Sequence, residues 1–293
     1  MDTSSRVGPR CGAVRSGVRY PVRMSDDRSR RARRGGSRNR KGQPEYLAGV
    51  HSVREALRAR RRELLRLWVD PAARRGEVAR LCEDAEGLGV PIREAPADDW
   101  RGMLDVASRR ANVQGVMLEA GSLPSPSLDD LIESLPVGEG CLVALDEVED
   151  PQNVGALIRV AEASGAQGLI LLERRAPPLS GAVSRASAGA LEWLPVCRVG
   201  NLSRALQRLQ DAGAWVVGAD QDAEETLFSM SDRVLSGRLV VVMGSEGRGL
   251  RGGIRRQLDH VVSVPMRGRV GSLNVSTAGA VILYELLRRR ELE

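Results

Sequence analysis

"CLVALDEVEDPQNVGALIRVAEASGAQGLILL", Cys141–Leu172, is the stretch on which the reading of the fold turns. Cys141–Val148 is an almost unbroken apolar run, the pattern of a strand buried on both faces of a parallel sheet. Asn153–Ser164 carries apolar residues at helical spacing, and Gly168–Leu172 returns to an apolar strand. Strand, helix and strand in succession are the building unit of a parallel α/β sheet.

The alternation continues downstream. Helix is predicted over Ser180–Ala190, strand over Leu194–Cys197, helix over Leu202–Ala212, and strands over Ala214–Gly218 and Arg238–Met243. A short helix around Leu250–Leu258, a strand over His260–Pro265 and a closing helix from Asn274 complete residues 138–293. Ligands in such sheets bind beyond the C-terminal ends of strands.

Upstream, residues 45–120 read as a smaller α/β domain. An extended piece at Tyr46 leads to a helix with Val53, Ala56 and Leu57 on one face, then a strand at Leu65–Val69. A helix ending near Gly87 and Gly89, a strand Val90–Arg93, a helix in "DDWRGMLDVA" and a strand in "VQGVMLEA" follow. Residues 121–137 read as a linker, Pro- and Ser-rich in "GSLPSPSLDD", with a short helix at Leu128–Leu135.

Residues 1–44 hold thirteen Arg or Lys against three Asp, a net charge of +10 within a chain of net +6. The remainder is therefore mildly acidic. "RSRRARRGGSRNRK" has no apolar pattern and is expected to be disordered. It reads as an arm seeking nucleic-acid phosphates, with a solvated tail as the alternative. Met24 is a candidate start, and an organellar transit peptide fits the first residues poorly.

Composition excludes several classes. No apolar run long enough for a membrane helix occurs, nor a signal-peptide pattern. Cys11, Cys82, Cys141 and Cys197 are widely spaced, and His51 and His260 are the only histidines. Neither a zinc site nor a disulfide framework is expected, and the compartment reads as reducing and cytoplasmic. The cysteines read as core residues, His51 and His260 as non-catalytic, and Trp193 and Trp215 as packing residues.

Three segments stand at strand C-terminal ends: Asn153 and Arg159 in the opening stretch, "VVVMGSEGRGLRGGI" around Glu246, and "GSLNVSTAGAVILYELLRRR" from Gly271. The glycines match neither GxGxxG nor GxxxxGK, and Glu246 among them would repel a pyrophosphate. Ser272, Asn274, Ser276 and Thr277 exceed what one helix cap requires, so the last helix is expected to begin at a polar ligand.

In order and spacing these segments resemble the three signature motifs of the SpoU/TrmH ribose 2′-O-methyltransferases, of the SPOUT α/β-knot class. "YLAGVHSVREAL" and "APPLSGAVSRASAGALEWLPVCRVGNLSRAL" are similar to the subgroup that methylates a guanosine ribose in large-subunit ribosomal RNA. The resemblance implies a trefoil-knotted domain, a homodimer, and S-adenosyl-L-methionine bent among the knot loops. Asn153, Arg159, Glu246 and Asn274 match the catalytic positions. Gly244, Val264 and Leu273 fall where the family contacts the cofactor, with Met266 beside them, and Ser272 shares the polar pair with Asn274.

Each of these residues also has a plain structural role open to it. Asn153, Ser272 and Asn274 could cap helices, Glu246 could be a solvated loop residue, and Arg159 a surface arginine. The family view makes Arg159 the base that activates the ribose hydroxyl. A guanidinium stays protonated, which favours instead a grip on a substrate phosphate or on the developing oxyanion. Within the class, the alternatives are a tRNA ribose or ribosomal adenosine methyltransferase. Outside it, the rival is a non-catalytic RNA-binding protein with the same fold.

Overall fold

The computed structural model of the chain describes residues 44–104, 109 and 112–291. The basic arm of residues 1–44, Cys11 and Met24 lie outside the described residues, apart from position 44, as does part of "DDWRGMLDVA".

Residues 45–120 form a four-stranded sheet in the order β1-β4-β2-β3. Its strands are β1 (Glu45–Ala48), β2 (Leu64–Val69), β3 (Ile92–Glu94) and β4 (Val116–Ala120). β4 is antiparallel to both β1 and β2, and β3 runs parallel to β2. Helices α1 (Val50–Ala59) and α2 (Glu77–Gly87) cover one face with Val53, Leu57, Leu81 and Ala85. Trp100, on the short α3 (Ala97–Arg101), is fully buried on the other with Met117 and Leu104. β3 begins two residues later than its apolar start suggests, because Val90 and Pro91 turn the chain out of α2.

The second sheet has seven strands in the order β7-β6-β5-β10-β8-β11-β9, and every pairing is parallel. These are β5 (Gly140–Asp146), β6 (Gly168–Leu172), β7 (Val196–Val199), β8 (Trp215–Ala219), β9 (Glu225–Thr226), β10 (Arg238–Gly244) and β11 (His260–Ser263). The expected α/β class with a mostly parallel sheet is borne out. On β5, Val143 and Leu145 enter one core and Leu142 and Ala144 the other, so the strand is buried on both faces.

The helices take the two faces. α4 (Leu128–Ser134) and α7 (Leu202–Asp211) cover one. α5 (Pro151–Ala163), α6 (Gly181–Ala186) and the last helix, α10 (Val275–Glu291), pack on the other. A Cβ on Gly279 would stand 2.4 Å from Leu157 Cδ2, so α10 and α5 meet at backbone range. Of two one-turn helices, α8 (Asp232–Leu235) packs Val234 and Leu235 with α5 and α10, and α9 (Gly252–Arg255) packs Ile254 with α4 and α7.

Several boundaries differ from expectation. The helix expected over Ser180–Ala190 ends at Ala186, and left-handed Ala188 and Gly189 divert the chain into a 3-10 turn, Ala190–Glu192. The next strand is therefore Val196–Val199. β9 and α8 carry no signal, since two and four residues show no periodicity. Trp193 and Trp215, read as packing residues, sit at the surface, 43% and 37% exposed. Trp215 meets His260 edge-on at 5.8 Å, and His260 Nδ1 lies 3.2 Å from Glu225. Cys82, Cys141 and Cys197 are buried, and burial pushes the thiols of Cys141 and Cys197 up to about 11.

Candidate active site

Three strand ends, those of β10, β8 and β11, converge on one cleft of about 600 Å³. That volume suits a ligand the size of a nucleoside with an amino-acid tail.

The glycine-rich loop makes one wall. Gly244 ends β10 with no room for a side chain: a Cβ there would stand 2.2 Å from the Gly249 carbonyl carbon. Ser245 and Gly249 exchange backbone hydrogen bonds of 3.1 and 2.9 Å, closing a tight turn. Gly247 and Gly249 take φ of +78° and +64°, where glycine is favoured. The far end of the loop is tied down by Arg251, whose backbone N–H and Nε donate to fully buried Asp146 at 2.9 and 2.7 Å. Arg251 also pairs with Glu147 at 3.1 Å.

The third signature segment makes the opposite wall. Asn274 Oδ1 accepts from Ser276 N at 2.9 Å and Ser276 Oγ at 2.6 Å, so Asn274 caps α10. Its amide nitrogen is left for other work. Asn274 Nδ2 donates to Asn153 Oδ1 at 2.9 Å and also to Glu246 Oε1. Asn153 does not cap its own helix. Asp150 does, accepting from Gln152 N and Asn153 N at 3.2 and 3.4 Å. The Asn153 side chain thus remains free to meet Asn274.

Among the expected residues, Gly244, Glu246, Val264, Met266, Ser272, Leu273 and Asn274 all line the cleft, and Asn153 is joined to it through Asn274. Arg159 is not brought there. It lies six positions past Asn153, about 240° around the helix at 100° per residue, and is exposed. Asp220, Gln221 and Asp222 line the cleft and were not anticipated. They follow β8 directly, so the rule that ligands bind beyond strand ends would have found them. Asp220 is held by Arg255 at 3.0 Å and accepts from Asp222 N at 3.0 Å.

The wall chemistry is mixed. Val264, Met266, Leu273 and Ala278 offer apolar surface for a flat base, while Glu246, Asp220 and Asp222 place carboxylates beside it. That set suits a ligand carrying both a heterocycle and positive charge. Among the described residues, no group of three or more His, Cys, Asp or Glu is placed to hold a metal ion. No described helix is long and apolar enough to cross a membrane.

Comparison with known proteins gives consistent results. The SpoU rRNA methylase family model matches residues 140–284, and a model for RNA 2′-O ribose methyltransferase substrate binding matches residues 46–126. The chain is 37% identical over 251 residues to the 23S rRNA (guanosine-2′-O-)-methyltransferase RlmB of Pseudomonas aeruginosa, covering 84% of this chain and 97% of that one. In structure it is similar to the SpoU methyltransferase AviRb from Streptomyces viridochromogenes in complex with AdoMet. The TM-score is 0.70 at 26% identity, over 87% of this chain and 94% of that one. An AdoMet-bound rRNA methyltransferase from Sinorhizobium meliloti gives a TM-score of 0.68 at 25% identity, over 84% and 87%.

Proposed function

The chain belongs to the SpoU rRNA methylase family, and on that premise we propose how its cleft works. It is an S-adenosyl-L-methionine-dependent RNA 2′-O-ribose methyltransferase, and its substrate is a guanosine of 23S ribosomal RNA. The observation that carries this reading is the Asn153–Asn274–Glu246 cluster, assembled beside an apolar, carboxylate-bearing cleft.

S-adenosyl-L-methionine, when bound, supplies an electrophilic methyl group. Gly244 and the loop after it, with Val264, Met266, Ser272 and Leu273, would hold it, the apolar side chains flanking the base. What remains is to place a weakly acidic ribose hydroxyl in line and ease the loss of its proton. Alignment of this kind lowers a barrier by about 7–11 kcal/mol. Glu246 accepts one hydrogen bond from Asn274 and retains lone pairs for the 2′-hydroxyl. Asn274, itself held by Asn153, fixes the angle of that carboxylate. Arg159, exposed and outside the cleft, holds an RNA phosphate in this reading, and its position does not favour a role as base.

Residues 45–120 act as the RNA-holding domain and residues 138–293 as the transferase, joined by the linker of residues 121–137. The basic arm adds phosphate contacts. The proposal includes the trefoil knot, a homodimer and a cytoplasmic site of action, where ribosomal RNA is found. Half-exposed Tyr284 on α10 and Phe228 supply apolar surface of the kind a dimer covers.

The test is to map 2′-O-methyl groups in total RNA from cells with and without the gene. Loss of one methylguanosine from 23S RNA is expected. Loss from a tRNA or at a ribosomal adenosine would replace the substrate, and an unchanged map would overturn the reading.

A further inference from the structure

The small domain and the transferase domain meet across a buried ion pair. Arg62, between α1 and β2, and Glu192, ending the 3-10 turn, both have side chains with no exposed surface. The pair is bidentate: Arg62 Nε donates to Glu192 Oε2 at 3.0 Å and Nη2 to Oε1 at 2.9 Å. Arg62 Nη1 also donates to Glu45 Oε2 at 2.7 Å, on β1, and to the Gly121 carbonyl at 3.3 Å, where the linker starts.

Neighbouring contacts share the geometry. Arg61 donates to the Glu192 carbonyl at 3.2 Å, and Trp193 Nε1 donates to Glu55 Oε2 at 2.9 Å. Gly189, at φ +86°, lets the two domains touch at backbone range: a Cβ there would stand 2.7 Å from Glu55 Cβ and 2.9 Å from the His51 carbonyl.

Such a pair is a poor source of net stability, because desolvating two charges offsets most of their attraction. Burial pushes the Glu192 carboxyl above its ordinary range, and Arg62 pulls it back. What the pair does provide is direction. A planar guanidinium facing a carboxylate through two parallel bonds fixes an angle, which apolar contact does not. It adds a fixed angle to the contacts made by Arg61, Trp193 and Gly189 across the same seam.

We infer that Arg62 and Glu192 are positioning residues that hold the RNA-binding domain in one orientation relative to the cleft, and so determine which ribose is methylated. This rests on the function proposed above. Neither residue lines the cleft, so cofactor binding is independent of the pair.

The experiment uses the full-length protein with two variants. The double variant Arg62→Met/Glu192→Leu replaces the fully buried pair with apolar volume and leaves Glu45, whose side chain is 23% exposed, to solvent. Glu192→Gln keeps one bond to Arg62 and is the milder change. Three readouts are taken: S-adenosyl-L-methionine affinity by calorimetry, methylation sites on 23S RNA with kcat/KM, and the radius of gyration by X-ray scattering. Cofactor affinity is expected within twofold of wild type. kcat/KM at the target ribose should fall about tenfold or more, as small misplacements do, with methyl groups appearing on neighbouring riboses and a larger radius. A variant that binds cofactor normally and still methylates the single wild-type ribose at the wild-type rate overturns the inference. If the double variant loses cofactor binding through misfolding, Glu192→Gln decides by the same criteria. A wild-type protein that methylates no RNA refutes the proposed function instead, and the scattering comparison then decides the orientation claim alone.

Discussion

Asn274 Nδ2 donates to Asn153 Oδ1 at 2.9 Å across a sequence separation of 121 residues. One amide thereby does two jobs. Its oxygen caps α10 through Ser276, and its nitrogen joins the first signature segment to the second through Asn153 and Glu246. The helix end and the Asn153–Glu246 bridge share a single side chain, so the cap and the cleft are built together.

The two jobs can be separated by substitution. Asn274→Ser keeps a capping oxygen and loses the bridge, whereas Asn274→Ala loses both. Thermal unfolding should show Asn274→Ala less stable by about 0.5–2 kcal/mol, with Asn274→Ser close to wild type. Methyl-transfer rates should fall by about 10²-fold or more in both, the range for losing one preorganised donor. Wild-type activity in Asn274→Ser would reduce Asn274 to a cap.

Gly244→Ala drives a methyl group into the Gly249 backbone, which cannot swing aside as a flexible side chain can. The loop must move, and cofactor affinity measured by calorimetry should drop at least about tenfold, as ångström-scale displacements do. Gly253→Ala is the control, since a Cβ there meets nothing within 4 Å. Equal affinity in the two variants would mean the loop is not a cofactor wall.

Arg159 is exposed and takes no part in the core. Arg159→Ala should leave the melting temperature unchanged and S-adenosyl-L-methionine affinity within a few-fold. RNA methylation should fall by about 10²-fold or more. Parallel loss of cofactor binding and transfer would show that the residue supports the fold instead.

Glu285 lies between Arg288 and Arg289 near the end of α10, bonded to each at 2.8 Å. The Arg288 hydrogen bonds lead in holding its carboxyl at about 2, down from 4.5. A carboxylate depressed in the folded state contributes stability that is complete above the unfolded value. That contribution is lost as pH falls from 4.5 toward 2. Acid unfolding of Glu285→Gln should therefore show a shallower loss of stability in that window than wild type. Superimposable acid titrations would refute the assignment.

Much of this molecule was legible before any coordinate. The all-apolar β5, the helical spacing of α5 and the glycine-bounded β6 stated a parallel sheet, because burial on both faces leaves a strand no polar positions. The loops after β5 and β10 were legible as ligand-facing because ligands of parallel sheets bind beyond strand C-terminal ends. Boundaries near Gly189 were not, since a left-handed turn at Ala188 depends on what the chain packs against. Nor was Asp150 recognised as the cap that frees Asn153. Residues 220–222 escaped because no motif marks them, although they follow a strand.

By itself, then, the sequence determined the order of the longer strands and helices and the chemical character of each loop. These are local properties, written in residues a few positions apart. Only the tertiary structure decided that Asn274 bonds both Asn153 and Glu246, that Arg159 is exposed and does not line the cleft, and that Arg62 is buried against Glu192. The first of these follows from the strand order β5-β10-β8-β11, which brings distant segments to one edge. That order reflects packing of whole elements against a shared core, and no periodicity within a segment encodes it.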